Sequence, residues 1–259
     1  MYVERVLRKG LKTQVFGKKI YTFDTIDSTN NCAKAVADCG ADEGTVIIAE
    51  DQTAGKGRLG RPWLSAPNQN LTFSVVVRPM LQNEGLNLLP LYAAVAVAEA
   101  IERATSLHAE CKWPNDLLIN KKKVGGILIE GSFKDAKVEY AVIGIGINVN
   151  QVVFSSDLSQ TATSLRNELH ADIDRAHLFQ EILRSLEHHY KQNTRTAFQS
   201  IVPTWLSHSS MLEKTITVSQ QGNLVSGVVK GLSQDGGLIL QMNGTTKTLF
   251  AGDVTVLEH

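Results

Sequence analysis

Beyond residue 210 the chain changes character, and this restricts its architecture more than any other feature. Residues 214–259 hold short β-prone runs at Thr215 to Val218, Ser226 to Lys230, Leu238 to Met242, Lys247 to Phe250 and Val254 to Leu257. Gly222-Asn223, Asp235-Gly236-Gly237 and Asn243-Gly244 separate them. Short strands at this spacing, with turn dipeptides between, predict a small β-barrel. The chain is expected to divide into a domain of residues 1–210 and a C-terminal barrel domain of residues 211–259.

The longer part alternates strand-like and helical patterns. An extended run, Lys18 to Asp27, precedes a helix from Ser28 to Cys39, where Ser28, Thr29 and Asn30 are capping types and Gly40 closes the helix. Thr45 to Ala49 reads as a buried strand, Leu71 to Val77 as another, and Leu88 to Thr105 as a long core helix. Leu117 to Ile119 and Gly126 to Glu130 flank a turn at Asn120 to Lys123, and Val138 to Val149 is a further core strand. In the helix Ala176 to Lys191, one apolar face holds Leu178, Phe179, Ile182, Leu183, Leu186 and Tyr190, with Arg184 and Glu187 off it. A shorter helix is expected over Thr196 to Leu206. The whole reads as an α/β domain followed by the barrel.

Composition removes several function classes. The 259 residues carry 26 basic and 26 acidic side chains, so there is no cationic excess of the kind that drives phosphate-backbone binding. In residues 214–259, Lys214, Lys230 and Lys247 face Asp235, Asp253 and Glu258, which is no footprint for RNA. The N-terminus has no apolar core of a signal peptide. The apolar stretch Leu88 to Ala98 is shorter than the ~20 residues that span a bilayer. A cytoplasmic protein with reduced cysteines is expected. Cys32 and Cys39 would lie ~10 Å apart along one helix, beyond disulfide reach, and Cys111 stands alone. No CxxC, HExxH or facing His cluster suggests a structural metal.

Chemistry concentrates in three segments. Asp51 to Trp63 follows a strand and places Gly55, Gly57 and Gly60 among Lys56, Arg58 and Arg61. Backbone N–H groups exposed by glycine, beside fixed cations, suit an anion. A P-loop is excluded, because its register would need Gly at Glu50 and Ser or Thr at Gly57. Lys112-Trp113-Pro114-Asn115-Asp116 sets a lysine beside an embedded Trp-Pro. Gly144-Ile145-Gly146-Ile147-Asn148 has Val149 where a dinucleotide fingerprint needs its third glycine, so its glycines instead mark close approach to the strand by a ligand or a neighbouring element.

In this order the motifs resemble those of the biotin protein ligases. Ser28-Thr29-Asn30, Gly55 to Trp63, Lys112 to Asp116, Gly125 to Glu130, Gly144 to Asn150 and Ala162 to Leu165 each match a family segment. Lys56 stands where an arginine is often found. The resemblance implies an α+β fold, in which a mixed β-sheet flanked by helices, of the class II synthetase-like biotin/lipoate ligase type, carries a small SH3-like C-terminal barrel. With about 20 residues before the first motif, a monofunctional member without the N-terminal DNA-binding domain is expected.

The activity implied is a two-step ligation. Biotin and ATP form biotinyl-5′-AMP with Mg²⁺ assisting, and the biotinyl group passes to a lysine of a biotin carboxyl carrier protein of acetyl-CoA or a related carboxylase. A homodimer is an open expectation; DNA and membrane partners are not expected. By resemblance, Ser28, Thr29, Asn30, Gln52, Gly55, Lys56, Gly57, Gly126 and Gly144 would contact biotin. Arg61, Trp63, Asn115, Gly146 and Asn148 would contact ATP. Lys112 and Arg58 would serve both and carry catalysis, with Lys112 bridging the biotin carboxylate and α-phosphate, and Asp116 is the candidate metal ligand. The rival readings are a lipoate–protein ligase with the same adenylation chemistry and a non-catalytic biotin-binding regulator.

Overall fold

A computed structural model describes residues 4–135, 137–220, 222–242 and 244–256. The expected turn residue Asn243, the strand end Leu257 and Glu258 lie outside the described residues. A short helix α1 (Glu4–Arg8) precedes a seven-stranded sheet of β1 (Ile20–Ile26), β2 (Val46–Gln52), β3 (Leu71–Val77), β4 (Glu110–Lys112), β5 (Asp116–Ile119), β6 (Lys122–Lys134) and β7 (Lys137–Ile147). The order is β1-β2-β3-β7-β6-β5-β4; β1 pairs parallel with β2 and every other neighbour is antiparallel. The sheet is mixed, as the resemblance implies.

Period-two alternation assigns the two faces different tasks. On β3 and β7 the odd-numbered residues Leu71, Phe73, Val75, Val77, Ala141, Ile143, Ile145 and Ile147 are buried in the main core. There they meet α3 (Leu88–Thr105) and α5 (Arg175–Asn193). The even-numbered residues begin as Val76 and Val142 under α2 (Thr29–Asp38), packed with Ala33, Ala37 and Ile47. Further along they become Ser74, Thr72, Gly144 and Gly146. Large side chains thus stop where the N-terminus of α2 is reached, and that face is left recessed beyond it.

The second sheet contains β8 (Thr215–Gln220), β9 (Asn223–Leu232), β10 (Leu238–Met242), β11 (Thr245–Leu249) and β12 (Asp253–Val256), after the short helices α4 (Leu165–Leu169) and α6 (Ile201–Ser207). Its order, β11-β10-β9-β8-β12, leaves both outer strands without a further strand partner among the described residues. The five strands are where the turn dipeptides predict, and among the described residues they form an open antiparallel ladder with no closed barrel. Hydrogen bonds tie the β4 end of the first sheet to the β9–β10 turn and to the end of α6. Trp113 Nε1–H donates to the Gly236 carbonyl at 3.1 Å, and Cys111 N–H to the His208 carbonyl at 2.7 Å.

Three other expectations need correction. The helix expected from Thr196 begins at Ile201, after a 3₁₀ turn at Thr194–Thr196 and left-handed residues Ala197 and Phe198. Glu187, placed off the apolar face of its helix, is 6% exposed and accepts hydrogen bonds from the N–H groups of Gln14, Val15 and Phe16. Finally, Gly85–Thr105 is long and apolar enough to cross a membrane by length and composition; here it is largely buried as the central core helix.

Candidate active site

The recess on the sheet opens into a cavity of about 750 Å³. One row of cross-strand partners runs beneath it, Thr72–Gly146–Gly126–Asp116, from β3 through β7 and β6 to β5. Ser74, Gly144 and Leu128 form the next row. The cavity therefore has a direction: the start of α2 and the end of β2 bound one end, and β5 with the start of β6 bounds the other.

Hydroxyl and amide groups gather at the first end. Ser28 is the N-cap of α2, and the side chains of Thr29 and Asn30 turn toward the sheet rather than capping the helix. Gln52 Oε1 accepts from Thr29 N–H at 2.8 Å and lies 3.1 Å from Thr29 Oγ1. Asn30 Nδ2–H donates to Glu130 at 2.8 Å. These buried groups are largely paired with one another, so they stay rigid while presenting polar edges to the cavity.

Cations gather at the other end. The segment after β2 folds back on itself: Gly57 N–H donates to the Arg61 carbonyl at 2.7 Å, and Trp63 N–H to the Gly55 carbonyl at 2.9 Å. Leu59 and Gly60 both have positive φ, which makes the tight corner. Arg58 and Arg61 then face the cavity at this end, whereas Lys56 faces it from the α2 side, where its ammonium donates to Asn31 Oδ1. Arg58 reaches Asn115 Oδ1 at 3.3 Å and the Gly252 carbonyl at 3.4 Å, while Arg61 pairs with Asp253 of β12. Burial pushes the Arg58 guanidinium below its ordinary value, against the pull of Asp253 and Asp116.

Lys123 completes this end, and it is the residue that motif reading missed. Its ammonium lies 2.6 Å from Asp116 and 5.7 Å from the centre of the Trp63 ring. Lys112 does not line the cavity. It stands one strand further out, on edge strand β4 opposite Asp116. Lys112 thus continues the row Thr72–Gly146–Gly126–Asp116 at the sheet edge, and Lys123 is the lysine on the cavity wall. The available signal was a lysine run ending at two glycines, Lys121 to Gly126, which the eye assigns to a solvated turn. Gly55 is the other expected residue off the wall: a Cβ there would be 2.6 Å from the Trp63 carbonyl, so it serves loop closure. The remaining expected residues, from Ser28 through Asn148, all line the cavity, joined by Phe154, Asp157 and Leu158 from a loop that follows β7.

The paired glycines have an internal explanation. A Cβ on Gly144 would be 2.2 Å from Asn30 Oδ1, and one on Gly146 would be 2.4 Å from the Trp63 ring. They give room first to the chain's own side chains, which in turn shape the cavity. Trp63 Nε1–H is buried without a hydrogen-bond partner, an arrangement that favours an acceptor supplied by a ligand. Asn148 is buried and donates to the Thr163 carbonyl at 3.0 Å.

A metal cage of protein side chains is not present: no group of three or more His, Cys, Asp or Glu converges among the described residues. Asp116 and Asp253 face the cavity, but each already holds a cation, Lys123 and Arg61. Mg²⁺ commonly binds through substrate phosphates with one or two carboxylates, which is as much as these residues could offer.

A mixed sheet with a recessed face, polar at one end of its cavity and cationic at the other, defines an α+β domain whose site suits an elongated ligand with an anionic end. A family model described as "Biotin/lipoate A/B protein ligase family" matches residues 22–148. The "Bifunctional ligase/repressor BirA" of Bacillus subtilis is 36% identical over 253 residues, which span 97% of this chain and 78% of that protein. The "Biotin--[acetyl-CoA-carboxylase] ligase" of Mycobacterium tuberculosis is 33% identical over 89% of this chain and 86% of its own length. Among solved structures, the biotin protein ligase from Aquifex aeolicus in complex with biotin and ATP superposes with a TM-score of 0.78 at 28% identity, covering 93% of this chain and 100% of that one. The chain belongs to the biotin/lipoate A/B protein ligase family.

Proposed function

We propose that the chain is a biotin protein ligase that adenylates biotin with ATP and transfers the biotinyl group to a lysine of a biotin carboxyl carrier protein. The observation that carries this reading is the polarity of one cavity: hydroxyls and amides at the β2 end, lysine and arginine at the β5 end. Biotin has the matching order of groups, a ureido ring, an apolar chain and a carboxylate.

In the first step the biotin carboxylate oxygen attacks the α-phosphorus of ATP, an O–P bond forms, and the bond to pyrophosphate breaks. Two anions must approach, so fixed positive charge in a partly buried site is the main requirement. Lys123, with Lys112 one strand further out, would bridge the carboxylate and an α-phosphate oxygen, and Arg58 would cover the same oxygens from the glycine-bearing loop. Trp63 and Asn148 would hold the adenosine. In the second step the amine of the carrier lysine attacks the carbonyl carbon of the mixed anhydride, loses a proton and releases AMP. The chain provides no side-chain nucleophile because both nucleophiles come from substrates, and positioning supplies the rate. Mg²⁺, when bound with ATP, would neutralise the departing pyrophosphate, and Asp116 would be its candidate carboxylate ligand.

Pyrophosphate exchange into ATP, with biotin, lipoate or no acid, tests the reading. Exchange with biotin alone is expected. Exchange with lipoate alone would move the chain to the lipoate branch of the family, and no exchange from folded protein would make it a binding protein.

A further inference from the structure

Gly126 and Lys123 share the cavity face of β6, although residues three apart on a regular strand point to opposite faces. A Cβ on Gly126 would be 3.3 Å from the Trp63 ring and 3.4 Å from Lys123 Cε. A Cβ on Gly125 would instead be 2.6 Å from the Ile147 side chain in the main core, where Val124 is also buried. The pairing register slips at this point. Leu117 is opposite Gly125 and Leu118 opposite Lys123, which leaves Val124 as the extra residue of a β-bulge. The bulge turns Lys123 into the cavity; regular alternation would aim it at the core side.

A bulge disrupts its own ladder, and the pairing of β7 with β6 ends at Gly125. The chain beyond β7 takes over. Asn148 N–H donates to the Val124 carbonyl at 2.8 Å, Lys123 N–H to the Thr161 carbonyl at 2.8 Å, and Thr163 N–H to the Lys123 carbonyl at 2.9 Å. Glu168 of α4 ties this segment to the turn between β5 and β6, which Asn120 and Lys121 make with positive φ. Its Oε1 accepts from the Thr163 hydroxyl and its Oε2 from the Asn120 amide, both at 2.5 Å. One carboxylate therefore grips the turn three residues before Lys123 and the segment beside it. The Lys123–Asp116 pair directs the ammonium, but a pair this open to solvent is too weak to hold a bulged backbone.

We infer that Glu168 is a positioning residue for the adenylation step: through Thr163 and the Asn120 turn it holds the bulge that presents Lys123 to the reacting oxygens. This deepens the proposed function and rests on it. Glu168 lies outside the cavity wall, so it acts on the rate through the placement of the lysine and not through contact with substrate.

The test is a double-mutant cycle in biotin-dependent pyrophosphate exchange at saturating biotin and ATP. Misplacing a reacting-site group by about 1 Å can cost ~100-fold, so the smaller shift in Glu168→Ala should lower kcat by about tenfold. Glu168→Gln should recover most of the rate, because its carbonyl still accepts from Thr163 and its NH₂ can donate to Asn120 once that amide turns over. In a Lys123→Ala background, Glu168→Ala should cost less than about twofold more, because both changes act through one ammonium. A merely structural role would lower kcat equally in both backgrounds. Such additive losses overturn the inference, as does a Glu168→Ala enzyme as fast as wild type. If Glu168→Ala does not fold, Asn120→Gly, which keeps the positive-φ turn and removes only the amide, decides by the same cycle. Absence of biotin-dependent exchange in the wild type would instead sink the functional reading itself.

Discussion

Lys123 Nζ lies 2.6 Å from Asp116 Oδ1, so the ammonium at the cationic end of the cavity is held by a carboxylate on the neighbouring strand. Asp116 restrains the lysine from one side and the Trp63 ring from another. Both charges are partly exposed, at 37% and 24%, so the pair contributes little to stability and chiefly sets where the ammonium points.

Loss of this lysine should therefore affect chemistry rather than folding. Lys123→Ala is expected to slow adenylation by roughly 10²–10³-fold, about 3–4 kcal/mol of transition-state stabilisation, as for other preorganised oxyanion donors. Lys112→Ala, at a position off the wall, should slow it by about tenfold at most. Pyrophosphate exchange at saturating biotin and ATP checks both. Equal losses in the two variants would return the bridging role to Lys112.

These two lysines also show how much of the site was legible in the sequence. The loop from Gly55 to Trp63 and the strand from Gly144 to Asn148 announce themselves through glycines beside charges, and they do line the cavity. Lys112 and Lys123 both occur at the edge of an apolar strand, and one sequence cannot say which reaches inward. That depends on strand order: β4 is the sheet edge, whereas β6 is interior. Glu187 failed for a related reason. Its helical position is at the border of the apolar face, and the N–H groups that capture it lie over 170 residues away. The open second sheet was legible as five strands, since turn dipeptides are local, but closure depends on pairing between distant edges.

The glycine pair gives a prediction that separates the two ends of the cavity. Gly144→Ala puts a methyl 2.2 Å from Asn30 Oδ1 and should raise KM for biotin with little change for ATP. Gly146→Ala drives into the Trp63 ring at 2.4 Å and should raise KM for ATP instead. Overpacking of this kind costs roughly 1–3 kcal/mol, so each effect should be about 5- to 150-fold. Steady-state exchange with either substrate varied reads the split; a rise in both constants for both variants would contradict it.

The cysteines should differ in reactivity. Cys39 is exposed, Cys32 is half-buried and Cys111 is buried. Burial pushes the thiols of Cys32 and Cys111 up, Cys111 much the further, and nearby Glu102, Glu99 and Glu110 add to it there. Since the thiolate is the reactive form, timed alkylation of folded protein at pH 8 should label Cys39 first, Cys32 slowly and Cys111 only on unfolding. Peptide mass mapping gives the order, and early labelling of Cys111 would refute its burial in the main core.

Glu187 should make the fold sensitive to acid. Burial alone would raise its pKa, but Lys191 and the N–H groups of Gln14, Val15 and Phe16 outweigh it and bring the value down to about 2, from an ordinary 4.5. A carboxylate depressed by folding stabilises the protein fully above its unfolded value, and that stabilisation fades as pH falls toward the folded value. The window is thus about pH 4.5 down to 2. Its size is on the order of 2 kcal/mol, below what the whole shift would give, because solvent screens the half-exposed Lys191 partner. Urea unfolding of the wild type should weaken across that window. Glu187→Gln should already be weaker at neutral pH, by a similar amount, because an amide cannot satisfy three donors as a carboxylate does, and its curve should be flatter below pH 4.5. Parallel curves for the two proteins would show that this carboxylate does not pin residues 14–16 to the helix.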